Sequence, residues 1–142
     1  MSKYFEVGVR YEKTQEDGTV KKVTETYLID ALSFSESEKR ITEEMEAYIS
    51  GEFSVVTEKI TNIADVITTD DVLADKFYKV KFSIITVDEK TGKEKRQTQL
   101  IVVKASSNDD ARDRYKQYCK NTLLDLVLEA VSETKYIDYI PY

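Results

Sequence analysis

The sequence predicts an α+β fold built from two internally repeated ββαβ units, packed as one pseudo-two-fold domain with about six mostly antiparallel strands and two helices. Three observations predict it. The two halves of the 142 residues align at an offset of 73–74 positions. In each half a period-2 apolar alternation gives way to helical spacing and then returns. Each half also opens with two strand-like runs joined by a glycine-containing turn.

The alignment keeps its order along the whole chain. Lys3-Tyr4-Phe5-Glu6-Val7 faces Lys76-Phe77-Tyr78-Lys79-Val80, and Gly18 faces Gly92. Tyr27-Leu28-Ile29-Asp30-Ala31 faces Ile101-Val102-Val103-Lys104-Ala105, and Ser33 and Glu36 face Ser107 and Asp110. Ile41, Met45 and Ile49 face Tyr115, Cys119 and Leu123, and Thr61, Ile63, Asp65 and Ile67 face Thr134, Tyr136, Asp138 and Ile140. Single matches arise by chance; this many in register do not.

Each element follows from local chemistry. Phe5, Val7, Val9 and Tyr11 alternate with polar or small residues, which predicts a half-buried strand. Glu16-Asp17-Gly18 supplies the positive φ of a hairpin turn, and the β-branched run Val20 to Ala31 returns antiparallel. Ser33 with Glu36 is a capping box. Phe34, Ile41, Met45, Tyr48 and Ile49 form the helix stripe behind it, and Gly51 ends the helix. Residues 53–67 return to strand, with a break near Thr57-Glu58-Lys59. In the second half Tyr78, Val80, Phe82 and Ile84 line one strand face, and Lys90-Thr91-Gly92-Lys93 is the turn. Leu100 to Ala105 is apolar on both faces and so predicts a central strand. Ser107 caps a helix with Ala111, Tyr115, Tyr118, Cys119 and Leu123 as its buried stripe. Residues 124–140 form the last strand region, with Leu123 to Leu128 able instead to extend the helix. The repeats span 1–67 and 76–142, joined by a linker over 68–75 that is too short to separate independent domains.

Composition excludes several chemistries. The chain has no His, one Cys and four Gly. That removes Ser-His-Asp and Cys-His catalysis, His metal sites, internal disulfides and Gly-rich phosphate loops. No catalytic set, cofactor or metal is assigned. Residues 1–15 lack a signal-peptide pattern, and no run approaches the roughly 18 apolar residues of a membrane span, so a cytoplasmic location is expected and a membrane partner is not. The net charge of −6 hides an asymmetry: 8 basic against 17 acidic residues over 1–75, and 13 against 10 over 76–142.

Several runs point to a known family. Tyr4-Phe5-Glu6-Val7 with Val9 to Lys13, Tyr27 to Ala31 with Ser33-Phe34, Tyr48 to Phe53, and Asp88 to Arg96 resemble domain-of-unknown-function family 4494, across essentially the whole chain. This chain has Tyr4 where the family tends to open with Trp. The family has no established activity and no catalytic residues to carry over. The resemblance implies a cytoplasmic accessory protein of Bacteroidetes or their phages.

Two surfaces are candidate sites. Residues 76–104 hold eight Lys+Arg against three acids. If Tyr78 to Ile84 face the core, Phe77, Lys79 and Lys81 face away from it. With Lys93, Lys95 and Arg96 they form a candidate surface for single-stranded nucleic acid or another anion, an aromatic stacking a base beside phosphate-tracking lysines. The bland alternative is a lysine-protected strand edge. The chain end carries Tyr136, Tyr139 and Tyr142, a candidate protein interface. Alternation sets Tyr136, Asp138 and Ile140 opposite Ile137 and Tyr139. Glu43, Glu44 and Glu46 read as solvated helix surface, Asp109 and Asp110 as first-turn charges, and Cys119 as core. Asp65 and Asp138 are a repeat-related pair that could converge as an acid and a base.

The reading these features favour is a non-enzymatic accessory protein acting through protein–protein contacts, as a homo-oligomer or on a host or phage protein. The alternatives are binding of single-stranded nucleic acid, sequestration of a small anionic nucleotide, and carboxylate-based hydrolysis.

Overall fold

The computed structural model describes residues 3–142. Among these residues the order is β1 (Lys3–Thr14), β2 (Val20–Ala31), α1 (Phe34–Tyr48), β3 (Phe53–Ile60), β4 (Ile63–Ile67), β5 (Lys76–Val87), β6 (Glu94–Ala105), α2 (Asn108–Tyr118), β7 (Asp125–Glu133) and β8 (Tyr136–Ile140). The class is α+β, with eight strands rather than six, in two four-stranded, mostly antiparallel sheets.

The two extra strands come from breaks in residues 53–67 and 124–140. The first break falls at Thr61-Asn62, not near Thr57 to Lys59. Thr61 turns both its backbone N–H and its hydroxyl onto the Tyr4 carbonyl, at 2.9 and 2.7 Å. Thr134 treats the Phe77 carbonyl in the same way, at 2.8 Å for both bonds. Each threonine thus closes an antiparallel ladder, and the chain beyond it joins the other sheet. The orders are β3-β1-β2-β8 and β7-β5-β6-β4. The antiparallel ladders around β1 and β5 carry the sheets, and β8 and β4 add as parallel edges on β2 and β6.

The chain accordingly divides into two compact units. One is residues up to Thr61 together with Lys135–Tyr142; the other is Asn62–Thr134. This boundary places Asp65, Asp70, Asp71 and Asp75 in the second unit. The charge asymmetry of the sequence halves then shrinks: the first unit holds 9 basic and 14 acidic residues, the second 12 and 13.

Within the first unit, β1 and β2 pair from Lys3 with Ala31 to Thr14 with Val20. Asp17 accepts from both the N–H and the hydroxyl of Thr19, and Gly18 sits at φ +85°, so the turn is built as its Asp-Gly pair requires. The ladder to β3 bulges at Val56, and that of β7 bulges at Glu129. Helix α1 starts at Ser33, whose hydroxyl accepts from the Glu36 N–H at 3.1 Å; Ser107 does the same for α2 through Asp110, at 3.1 Å.

The first core joins Phe5, Val7, Val9, Tyr27, Ile29 and Ala31 of the sheet to Ile41 and Met45 of α1, with Ile140 from β8. The second joins Tyr78, Val80, Phe82, Ile101, Val103 and Ala105 to Ala111 and Tyr115, with Cys119 partly buried against it. Ile101, Val102 and Val103 are all fully buried, which is what an interior strand with two apolar faces must be. The helix stripes are narrower than their spacing suggests. Phe34 and Tyr48 are 49% and 77% exposed at the two ends of α1, and the buried row is Ser37, Ile41 and Met45. Leu123 is fully exposed because α2 stops at Tyr118 with Cys119 as its cap, leaving Leu123 in the loop before β7. No helix among the described residues is long and apolar enough to cross a membrane.

Candidate functional site

The basic hairpin of the second unit is not the stacking platform the sequence predicts. Phe77 does point away from α2, but it is buried, at 3% exposure, with the Lys104 ammonium 5.8 Å from its ring centre. A base cannot reach that ring. The same sheet face also buries Val102 and Ser83, so alternation named the face correctly and its exposure wrongly. Lys79 is half-buried and Lys81 is exposed on that face. Arg96 is paired with Glu129 at 3.4 Å. Lys95 projects to the opposite face, and Lys93 lies in the turn. The six residues therefore form no continuous surface.

The C-terminal tyrosines also separate. Tyr136 is buried, and its hydroxyl donates to the Glu6 carboxylate. Burial first, and that bond second, push its ionisation well above the usual phenol range. Tyr136 therefore holds β8 to the sheet rather than facing a partner. Tyr139 is half-buried with its ring 6.2 Å from that of Tyr4. Tyr142 is 67% exposed, with the Arg40 guanidinium 5.2 Å from its ring centre. Arg40 also donates to the Asp30 and Pro141 carbonyls, which ties down the chain end. Between Tyr136 and Asp138 the register of β8 on β2 shifts, and Ile137 has no partner across the ladder. The shift breaks the alternation. Tyr136 faces away from α1, Asp138 and Ile140 face toward it, and Ile137 is left 53% exposed.

This part of the first unit holds a cavity of about 270 Å³ between the C-terminal end of α1, β8 and the far ends of β1 and β2. Tyr11, Glu25, Tyr27, Tyr48, Ile137 and Asp138 are among its lining residues. Among these, Glu25 Oε1 accepts from the Tyr11 hydroxyl at 2.7 Å and the Tyr27 hydroxyl at 3.2 Å. Lys13 approaches Glu25 Oε2 to 3.8 Å from the solvent side. Burial, then the Glu25 bond, raise the Tyr11 phenol to about 12; burial, then the Glu25 charge, push Tyr27 upward as well. The second unit has Ile84, Gln99 and Ile101 at the aligned positions, so this cluster belongs to the first unit alone.

The match to known proteins is to a family of domains of unknown function, DUF4494, over residues 3–142. The chain belongs to that family. No curated protein and no solved structure matches it.

The cavity was legible in one signal that alternation alone passes over. Val23, Glu25, Tyr27, Ile29 and Ala31 form the inward row of β2, and a carboxylate in such a row needs donors. Tyr11, on the neighbouring strand, is the donor at hand. Asp65 and Asp138, the aligned pair, each make a local bond. Asp65 accepts from the Val66 N–H at 2.8 Å and the Tyr118 hydroxyl at 3.1 Å, within the second unit. Asp138, in the first, accepts from the Tyr139 N–H at 2.8 Å. No group of three or more potential metal ligands occurs among the described residues.

The raised phenols have a measurable consequence. In the folded protein Tyr11 keeps its proton up to about 12, whereas in the unfolded chain it loses it near about 10. Its contribution to stability is complete below the lower value and lost as pH rises through the upper one. The urea midpoint is therefore expected to fall as pH is taken from about 9 to about 12, and to fall less in Tyr11→Phe. Equal slopes in the two proteins would contradict the Tyr11–Glu25 bond.

Proposed function

We propose that the chain is a non-enzymatic binding protein that works through protein–protein contacts, with its docking face on the first unit around β8. One observation carries this reading: Tyr48 and Ile137, 77% and 53% exposed, both line the mouth of the same cavity. Exposed aromatic and aliphatic side chains beside a recess are what partner anchoring uses, since they add area on burial at small entropic cost. Tyr142, also exposed at the chain end, adds to the aromatic surface of this unit. β8 stands at the end of its sheet's strand order, the position at which a partner strand would add. Burial of Phe77 weighs against the nucleic-acid alternative, and Lys81, Lys93 and Lys95 alone would give only weak, salt-sensitive anion contacts. An accessory role in a bacterial or phage cytoplasm fits this reading.

The test is native mass spectrometry on the protein as purified from its expressing cell, followed by the same measurement after denaturation. The expected mass exceeds the 16.4 kDa chain, either as an integer multiple or by the mass of a second polypeptide. A mass equal to one chain at every concentration contradicts the proposal, and an excess released as nucleotide or oligonucleotide transfers it to the alternatives.

A further inference from the structure

The cavity of the first unit has a definite electrostatic character. Three of its lining residues are carboxylates, Glu25, Glu44 and Asp138, and three are tyrosines, Tyr11, Tyr27 and Tyr48. The rest are Met45 and aliphatic side chains, and among the described residues no lysine or arginine lines it. An anionic ligand would be repelled. A neutral apolar ligand would strip water from three carboxylates without replacing it. A cation satisfies both the charge and the aromatic walls, because a ring face attracts positive charge.

Of the three carboxylates, Glu25 is arranged for this. Glu25 Oε1 is saturated by two phenol protons, which fixes the side chain in place. Among the described residues Oε2 has only Lys13 at 3.8 Å, a side chain 54% exposed that can swing into solvent without leaving the protein strained. The other oxygen of the fixed group is thus open to a better-placed cation. At about 270 Å³ the recess lies just below the range of about 300–1,000 Å³ that encloses whole small-molecule ligands, and suits one side-chain head group.

We infer that this cavity receives the guanidinium or ammonium head of an arginine or lysine side chain carried by the protein partner. The inference rests on the protein-contact reading above. It goes further by giving the chemistry of the anchor: the head group is hydrogen-bonded to Glu25 and Asp138 and flanked by tyrosine rings, with Ile137 and Tyr48 closing on the alkyl stem.

The experiment is an amide NMR titration of the intact chain with N-acetyl-arginine amide, N-acetyl-lysine amide, putrescine and, as a neutral isostere, N-acetyl-citrulline amide. The expected result is shifts confined to the backbone around Tyr11, Tyr27, Ile49 and Asp138 with the arginine or lysine amide, and none there with citrulline. Glu25→Gln and, as a second variant at the exposed rim, Asp138→Asn are each expected to weaken binding at least about tenfold, while Lys95→Ala in the other unit leaves it unchanged. Equal shifts from citrulline, no shifts from either cationic amide, or unchanged binding in both carboxylate variants overturns the inference. Binding of putrescine without the amides also overturns it, assigning the site to a free polyamine. The mass measurement is separate: a complex that persists while the amides fail leaves the protein-contact reading standing alone. A single-chain mass with binding of the amides removes that reading and leaves a cation site.

Discussion

Replacing Ile140 by Asp is expected to unfold the first unit and spare the second. Ile140 is 8% exposed and lies in the core with Phe5, Val7, Ile29 and Ile41, residues about a hundred or more positions away along the chain. A carboxylate there loses the apolar contact and cannot find donors, a cost of about 3 kcal/mol or more. That is a large share of the roughly 5–15 kcal/mol that holds a domain together. The effect should appear by amide hydrogen exchange as lost protection in β1, β2, β3 and α1, with β5, β6 and α2 retaining theirs. Ile67→Asp should produce the reverse pattern, because Ile67 of β4 packs on the core of the second unit. If Ile140→Asp instead exposed β5 to β7, the exchange of edge strands between the units would be wrong.

The second large effect is expected at Gly8. A Cβ built there would lie 2.3 Å from the Thr57 hydroxyl oxygen on the neighbouring strand, closer than any contact tolerates. Gly8 is buried and pairs with Thr57 beside the Val56 bulge, and the crowding atom belongs to a short β-branched side chain rather than to the far end of a flexible one. Gly8→Ala should cost about 1–3 kcal/mol by overpacking. Thr57→Ala removes the offending oxygen, and the double variant should recover most of the loss, giving a coupling well above the error of denaturant melts. The aligned pair in the second unit is Lys81 opposite Ala130, where the small residue sits on the other strand. Additive losses in the double variant would mean that Gly8 serves some purpose other than clearance.

The elements were legible because their signals are local. Ser33 and Ser107 fix where the helices begin, Asp17-Gly18 fixes a hairpin, and a doubly apolar run from Leu100 to Ala105 marks a strand with neighbours on both sides. What was not legible is the sheet to which the short strands belong. Ile63 to Ile67 and Tyr136 to Ile140 carry ordinary strand patterns, and nothing in them states a partner. That choice is made by Thr61 and Thr134, which end one ladder and release the chain to another. Two further features are hidden from the sequence. Strand alternation assigns Phe77 to a face but says nothing of whether that face is covered. The one-residue register shift at Ile137 moves Asp138 and Ile140 off the face that holds Tyr136. Glu25 carries no signal beyond its place in the inward row of β2, and it is the pairing of β1 with β2 that brings the Tyr11 hydroxyl to it.

The central claim is that the first unit docks a protein at the mouth of this cavity. The most direct measurement is the native mass of the cell-purified protein in three forms: wild type, Ile137→Asp and Val72→Asp. Val72 is an exposed aliphatic residue of the second unit, 92% accessible, and serves as the control for surface charge alone. The account predicts that the added mass is present in wild type and Val72→Asp and absent in Ile137→Asp. Retention of the added mass in Ile137→Asp, or its equal loss in Val72→Asp, would contradict it.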